Sequence, residues 1–336
     1  MIRDQLGRGI GDLRISVIDR CNHRCTFCMP AGRQYRFLPR RELLTYEEIT
    51  RLARIFVALG ARKIRLTGGE PLVRSEIERL VEMLAEIEGI EDLALTTNGR
   101  LLVGRAEALA EAGLDRVTVS VESLDEKTYG EMTGLGQPVG PVLEGIEAAA
   151  RAGLGPIKVN TLVQRGVNDH QIVDLARYFK ERGHVVRFIE YMDVGTLNEW
   201  READVLSARE IIERIDRELP LEPLPRRDAS DTALRFRYLD DGVEVGAIAS
   251  VSEPFCGACT RARLSSEGSL FTCLFAATGL DLKHPLRAGA DDCELEALIR
   301  ERWAERADRY SEEREERMRI GGRPAEPRVE MYRIGG

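Results

Sequence analysis

Residues 13–28 read LRISVIDRCNHRCTFC. The first part, LRISVID, alternates apolar and polar residues and predicts a β-strand. It runs directly into three cysteines, Cys21, Cys25 and Cys28, in the spacing C-x3-C-x2-C. A second strand with a turn, KIRLTGGEP, follows at 63–71. Between them lies TYEEITRLARIFVALG (45–60), where Thr45 and Glu48 form a capping-box pattern and Gly60 supplies a stop. The plan is therefore strand, functional loop, helix, strand.

The alternation continues outward from this start. SEIERLVEMLAEIEG (75–89) has apolar residues at helical spacing. LALTTNG (93–99), RVTVSVE (116–122), PIKVNTLVQ (156–164) and VVRFIEYM (185–192) read as strands. Helices are predicted up to Gly113 and over 139–152, 168–183 and 207–218. Six βα units in a row imply a parallel sheet with right-handed crossovers. Strands rich in Val, Ile and Leu suit a sheet covered by helices. Periodicity leaves a barrel and an open doubly wound sheet both standing.

The pattern breaks at LPLEPLPRRDASDT (219–232), which is rich in proline and charge and reads as a linker. The expected division is a domain over 1–218 and a smaller C-terminal α+β domain over 233–336. In the latter, RFRYLD and VEVGAIASV meet at Asp241-Gly242, a hairpin signal. Residues 291–306 look helical, and 308–328 read as a charged, mobile tail.

Composition narrows the function. The chain has 336 residues, 43% of them hydrophobic, with a net charge of −8. It lacks the basic stripe of a duplex-binding protein, so nucleic acid is a poor partner. No run reaches the ~20 apolar residues of a membrane helix, and the first twenty residues carry no signal-peptide core. A cytoplasmic location is expected. In that reducing compartment the seven cysteines call for metal ligation rather than disulfides.

Two cysteine groups qualify. Three thiolates at C-x3-C-x2-C wrap a [4Fe–4S] cluster and leave one iron open. The second group is Cys256, Cys259 and Cys273, in the spacing C-x2-C-x13-C. Zinc is the competing ligand at both, completed by His23 or by His284. Cys293, inside a predicted helix, reads as an ordinary buried cysteine. Thr260-Arg261-Ala262-Arg263 sits beside the second group. Its two arginines project to one side of an extended strand and suit phosphate oxygens. Arg14, Arg65 and Lys158 lie on predicted strands with apolar neighbours and are expected to point into a lumen. Arg187 follows the same logic.

C-x3-C-x2-C followed by a strand ending in Gly68-Gly69-Glu70-Pro71 resembles the radical S-adenosylmethionine superfamily, whose fold is a partial (βα)6 TIM-like barrel. LRIS, DRCNHRCTFCMP, IRLTGGEPLVR, LTTNG, VSVESLD, KVN, RFIEYMDVG, FCGACTRARLSSEG, CLFA and a terminal Gly-Gly occur in order along nearly the whole chain. Together they resemble the GTP 3′,8-cyclase family of molybdenum cofactor biosynthesis. The resemblance implies a lyase with two [4Fe–4S] clusters and S-adenosyl-L-methionine. It implies that a 5′-deoxyadenosyl radical abstracts hydrogen from C3′ of GTP, whose C3′ then bonds to C8. The product is (8S)-3′,8-cyclo-7,8-dihydroguanosine 5′-triphosphate.

By the same resemblance Cys21, Cys25 and Cys28 hold the first cluster, and Cys256, Cys259 and Cys273 hold the second. Phe27, Gly69, Ser120 and Met192 match positions that line S-adenosylmethionine; Phe27 stands where tyrosine is common. Arg14, Arg65, Thr96, Lys158, Arg261, Ala262 and Arg263 match positions that contact GTP. Glu122 stands where the family usually has aspartate. Gly335 and Gly336 match a tail that enters the active site, although sequence alone favours a frayed terminus. Expected partners are an electron donor such as flavodoxin or ferredoxin, and the next enzyme, cyclic pyranopterin monophosphate synthase. A homodimer is compatible with the family. Two rivals remain: another radical S-adenosylmethionine enzyme with an auxiliary cluster, and a zinc-stabilised module that is not an enzyme.

Overall fold

The computed structural model describes residues 2–319 and 328–335. Six parallel strands form its centre: β1 (Asp12–Ser16), β2 (Lys63–Thr67), β3 (Asp92–Thr97), β4 (Arg116–Ser120), β5 (Lys158–Val163) and β6 (Val185–Glu190). They lie side by side in chain order, as expected of successive right-handed βα units. Helices return the chain between them. Tyr46–Leu59 carries the predicted capping box, with the Glu48 N–H on Thr45 Oγ1 at 3.2 Å and the Thr45 N–H on Glu48 Oε2 at 2.7 Å. The other crossovers use Ile77–Ala85, Ala106–Glu111, Gly140–Arg151 and Ile172–Lys180.

One helix was not expected. Glu126–Thr133 precedes Gly140–Arg151 in the fourth crossover. Its sequence, EKTYGEMT, has too few apolar residues to signal a helix by periodicity. Its ends do carry signals: Asp125 caps it through the Thr128 N–H, and Gly134 closes it at φ +76°.

The segment expected as a C-terminal domain supplies strands to both ends of this same sheet. β7 (Leu221–Leu224), β8 (Leu234–Tyr238) and β9 (Glu244–Ile248) join beyond β6, with β9 parallel to β6. β10 (Arg261–Leu264), β11 (Ser269–Phe271) and β12 (Leu280–Asp281) join beyond β1, with β10 parallel to β1. A β8–β9 turn at Asp241-Gly242 agrees with the hairpin reading, with Gly242 at φ +74°. Within the expected linker, β7 is a strand despite Pro223. It sits at the end of the sheet, where a missing N–H costs no ladder bond. Placing a domain division at 219–232 remains a proposal.

Sheet pleating sorts the side chains. Leu13, Ile15, Ile64, Leu66, Leu93, Leu95, Val117, Val119, Val159, Val186 and Phe188 are all buried in the helix-covered core. Their neighbours in sequence therefore point to the opposite, inner face. Two further expectations are corrected. Cys293 lies in the helix Asp292–Ala304 but is exposed, because the buried stripe there is Leu295, Ile299 and Trp303. The tail is structured over Tyr310–Arg319, where the buried Arg314 pairs with Asp193 at 2.9 Å. A charge-rich composition concealed that buried partner. Among the described residues, no helix is long and apolar enough to cross a membrane.

Candidate active site

The inner face is cationic. Arg263 on β10 is in register with Arg14 on β1, and Arg14 with Arg65 on β2. Thr96 on β3 pairs with Thr118 on β4, and Thr118 with Lys158 on β5. Asn160 on β5 pairs with Arg187 on β6. Residues in register share a face, so every lumen residue expected from sequence stands on this one surface. Arg65 Nη1 donates to Thr96 Oγ1 at 3.3 Å and Thr118 Oγ1 at 3.2 Å. Arg187 Nε donates to Asn160 Oδ1 at 3.0 Å. Ala262 differs: it is fully buried on the helix side, in register with Leu13, so its methyl group faces the core.

Arg116, which the sequence reading did not single out, also stands on the inner face, held by Asp92 through bonds of 2.8 and 2.5 Å. Asp12 is the second carboxylate there, 3.9 Å from Arg14. Cations outnumber these two. Burial, then Arg187, Arg116 and Arg65, push Lys158 down to about 7. Burial, then Arg65 and Arg116, bring Arg187 down to about 9. Burial and the neighbouring Arg261 bring Arg263 down to about 10. A polyanion relieves exactly this kind of mutual repulsion.

The two cysteine groups flank the face. Cys21, Cys25 and Cys28 follow the C-terminal end of β1. Cys256 and Cys259 precede β10, which runs parallel to β1, so they lie by its N-terminal end; Gly11 and Thr260 are bonded there at 3.0 Å. Cys273 follows β11, which returns antiparallel to that same end. The five residues of β1 span about 16 Å between the two groups.

Local packing fixes the first loop. The Gly69 N–H bonds to Ile18 O at 2.7 Å and the Glu70 N–H to Arg20 O at 2.8 Å. A Cβ on Gly69 would lie 2.2 Å from Arg20 O, so the glycine turn is required by the loop that feeds the cysteines. Glu70 is buried and pushed up to about 7 by that burial, against hydrogen bonds from Asn98 N, Thr97 Oγ1 and Leu72 N. The unexpected helix Glu126–Thr133 holds the other side, with Arg24 N on Thr133 O and Thr26 N on Met132 O, both at 2.9 Å. Phe27 and Ser120 are half-buried near this end of the sheet, as is Met192, whose carbonyl accepts from Asn198 Nδ2 at 3.0 Å. Glu122 is buried beside Cys25, and burial pushes it up to about 8.

The C-terminal segment enters at the same end. Arg328 pairs with Asp193 at 3.0 Å, and Glu330 Oε1 accepts from the Thr196 N–H at 2.9 Å. The short helix Met331–Ile334 then brings Gly335 to the inner face, where Arg263 Nη1 donates to its carbonyl. Gly335 has φ +74°, and a Cβ on it would lie 2.1 Å from Thr67 Cγ2. A frayed terminus is thus not what Gly335 forms; Gly336 lies outside the described residues.

Known proteins match this arrangement. The model of the radical SAM superfamily matches residues 15–179, and that of Molybdenum Cofactor Synthesis C matches 184–312. A GTP 3′,8-cyclase of Acidothermus cellulolyticus is 50% identical, covering 100% of this chain and 99% of the relative. One from Aquifex aeolicus is 47% identical over the whole of both chains. This chain belongs to the GTP 3′,8-cyclase family. Streptococcus suis SuiB bound to S-adenosylmethionine shares the fold, with a TM-score of 0.60 at 17% identity over 87% of this chain and 68% of SuiB.

Membership in the cyclase family, within the radical SAM superfamily, brings a [4Fe–4S] cluster and S-adenosylmethionine. The residues present fit the cluster. The three first-site thiols are free and partly exposed. His23, the zinc alternative's fourth ligand, turns inward: it is 2% exposed, and its ring meets that of Tyr129 edge-on at 6.4 Å. Among the described residues, no three His, Cys, Asp or Glu side chains are gathered around one metal-ion position. Burial raises Cys25 and Cys28 well above the usual thiol range and Cys21 to about 11. At the second site burial opposes ionisation of Cys259, but Arg261 and Arg306 outweigh it and bring the thiol down to about 6. Arg261 Nε donates to Cys259 Sγ at 3.2 Å. His284, the zinc candidate there, is exposed on the helix Lys283–Arg287.

Proposed function

We propose that this chain converts GTP into (8S)-3′,8-cyclo-7,8-dihydroguanosine 5′-triphosphate, the first step of molybdenum cofactor biosynthesis. Support comes from full-length relatives of that activity. The observation that carries the reading is a cationic face between two thiol triads. When bound at Cys21, Cys25 and Cys28, a [4Fe–4S] cluster supplies the electron that cleaves S-adenosylmethionine.

The chain's own residues position and shield. Phe27, Gly69, Ser120 and Met192 line the S-adenosylmethionine site. Arg14, Arg65, Lys158, Arg261 and Arg263 hold GTP by charge, with Thr96 as a neutral partner. For Ala262 only the backbone is available, since its side chain is in the core. Arg187 and Gly335 complete the chamber around the ribose, and Gly336, outside the described residues, is assigned to the same catalytic tail by resemblance alone. Their task is to keep C3′ within reach of the radical carbon and to exclude water. Cys256, Cys259 and Cys273 would hold a second [4Fe–4S] cluster, which would supply a free coordination position for the guanine. A flavodoxin or ferredoxin supplies electrons, and cyclic pyranopterin monophosphate synthase takes the product, all in the cytoplasm.

The test is anaerobic incubation of the reconstituted chain with GTP, S-adenosylmethionine and a strong reductant. Mass spectrometry is expected to find a nucleotide isomeric with GTP, together with 5′-deoxyadenosine. Reductive cleavage of S-adenosylmethionine with GTP recovered intact would overturn the assignment of substrate.

A further inference from the structure

The first residues of the chain carry chemistry that the active site does not use. Asp4, Arg8 and Arg306 are all buried, with side chains 0–2% exposed. Arg8 Nε bonds to Asp4 Oδ2 at 2.6 Å, and Arg306 Nη1 reaches the same oxygen at 3.3 Å. Both guanidinium groups then extend to the second thiol group. Arg8 Nη1 donates to Cys256 O at 2.8 Å and to Asp308 O at 2.9 Å. Arg306 Nη1 donates to Cys259 O at 2.7 Å. The third cysteine is reached indirectly: Asp308 Oδ2 accepts from Thr272 Oγ1 at 2.6 Å, next to Cys273.

This network touches the chain at each of the three thiol positions. It is also locked from behind. Trp303 Nε1 donates to Arg8 O at 3.0 Å, and the Arg306 guanidinium lies 4.5 Å from the Trp303 ring. Arg8 Nη2 and Arg306 Nε are buried without a hydrogen-bond acceptor. Arg261 on Cys259 brings a third guanidinium group to these loops, and the carboxylates there are Asp4, Asp308 and Glu312, whose Oε1 accepts from the Gly257 N–H at 3.0 Å. A [4Fe–4S] core held by three thiolates carries net negative charge, which guanidinium groups fixed on the cysteine loops complement.

We propose that Asp4, Arg8 and Arg306 are positioning residues for the C-terminal cluster, tying the N-terminal segment to the loops that bear Cys256, Cys259 and Cys273. This rests on the reading that those cysteines hold a cluster. Arg8 fixes the Cys256 and Asp308 carbonyls with one nitrogen while Asp4 holds its other side. Lysine cannot span that geometry with a single ammonium group.

The experiment uses the full-length chain, reconstituted anaerobically, as parent, Arg8→Gln and Arg8→Lys, each also combined with Cys25→Ser. The readouts are iron content, cluster EPR, release of iron to a chelator, and 5′-deoxyadenosine formed without GTP. The parent is expected to hold about eight irons. Arg8→Gln is expected to fall to about four irons, its 5′-deoxyadenosine rate staying within about twofold of parent. Combined with Cys25→Ser, it is expected to hold almost no iron. Arg8→Lys is expected to release second-site iron at least tenfold faster than parent, and it decides the matter should Arg8→Gln prove insoluble. Parent-like iron content and chelator kinetics in both variants would overturn the proposal. So would equal loss from both sites, which marks a general folding role. A parent that holds only about four irons defeats the second-cluster reading itself, and the proposal falls with it.

Discussion

Arg263 is the proposed GTP-binding residue that also holds the tail. It is 2% exposed, in register with Arg14, and bonded to the Gly335 carbonyl. Arg263→Ala therefore removes the proposed phosphate partner and the tail's contact in one step. GTP affinity is expected to fall by roughly 10–100-fold, as for loss of a charge-assisted hydrogen bond. Isothermal titration with S-adenosylmethionine present measures it, and unchanged affinity would remove Arg263 from the site. Lys158 makes a prediction about pH. Its folded value near 7 lies below the usual lysine range because of burial and the neighbouring Arg187, Arg116 and Arg65. A bound triphosphate raises it again. At pH 8 the free enzyme holds Lys158 mostly neutral, so GTP binding takes up a proton and weakens as pH rises above 7. Calorimetry in two buffers of different ionisation enthalpy is expected to show this uptake, and Lys158→Met to reduce it. The same depression makes folding stability rise with pH between about 7 and 10, where the unfolded lysine still holds the proton that the folded one has lost.

At the scale of elements, the cysteine loop depends on two glycines that support it from outside, Gly69 and Gly134. Gly134, closing the helix Glu126–Thr133, would place a Cβ 2.0 Å from Arg24 O, and its φ is +76°. Gly134→Ala must therefore displace the loop. First-site iron and 5′-deoxyadenosine formation are expected to drop at least tenfold, with second-site iron retained. Parent-like values for both would show that the loop does not rest on this turn. Much of this scale was legible in the sequence. Strands, capping box and cysteine spacing are local signals, and each appears where the pattern placed it. The supporting helix was hidden because its residues bind the loop through backbone groups, which leave no apolar stripe. The buried Asp193, which accepts bonds from Tyr310, Arg314 and Arg328, was hidden for another reason. Those three arrive from a segment whose composition looked solvated.

At the scale of the molecule, the C-terminal third extends both ends of the sheet instead of standing beside it. β9 lies against β6 and β10 against β1, so eight adjacent strands run parallel. No local pattern encodes those pairings, because they join residues about 60 and about 250 apart in the chain. Its effect is functional. It brings Arg263 into register with Arg14 and Arg65 and Arg261 into register with Asp12, and it sets one thiol triad at each end of the inner face. The proposed function requires the triphosphate to lie between the two groups, with the ribose toward the end where Cys21, Cys25 and Cys28 emerge. Substrate labelling tests that placement most directly. GTP deuterated at C3′ is incubated anaerobically with reductant and S-adenosylmethionine, and the 5′-deoxyadenosine is analysed by mass spectrometry. One deuterium transferred to 5′-deoxyadenosine is the predicted result; 5′-deoxyadenosine formed without label, while the GTP keeps its deuterium, would contradict it.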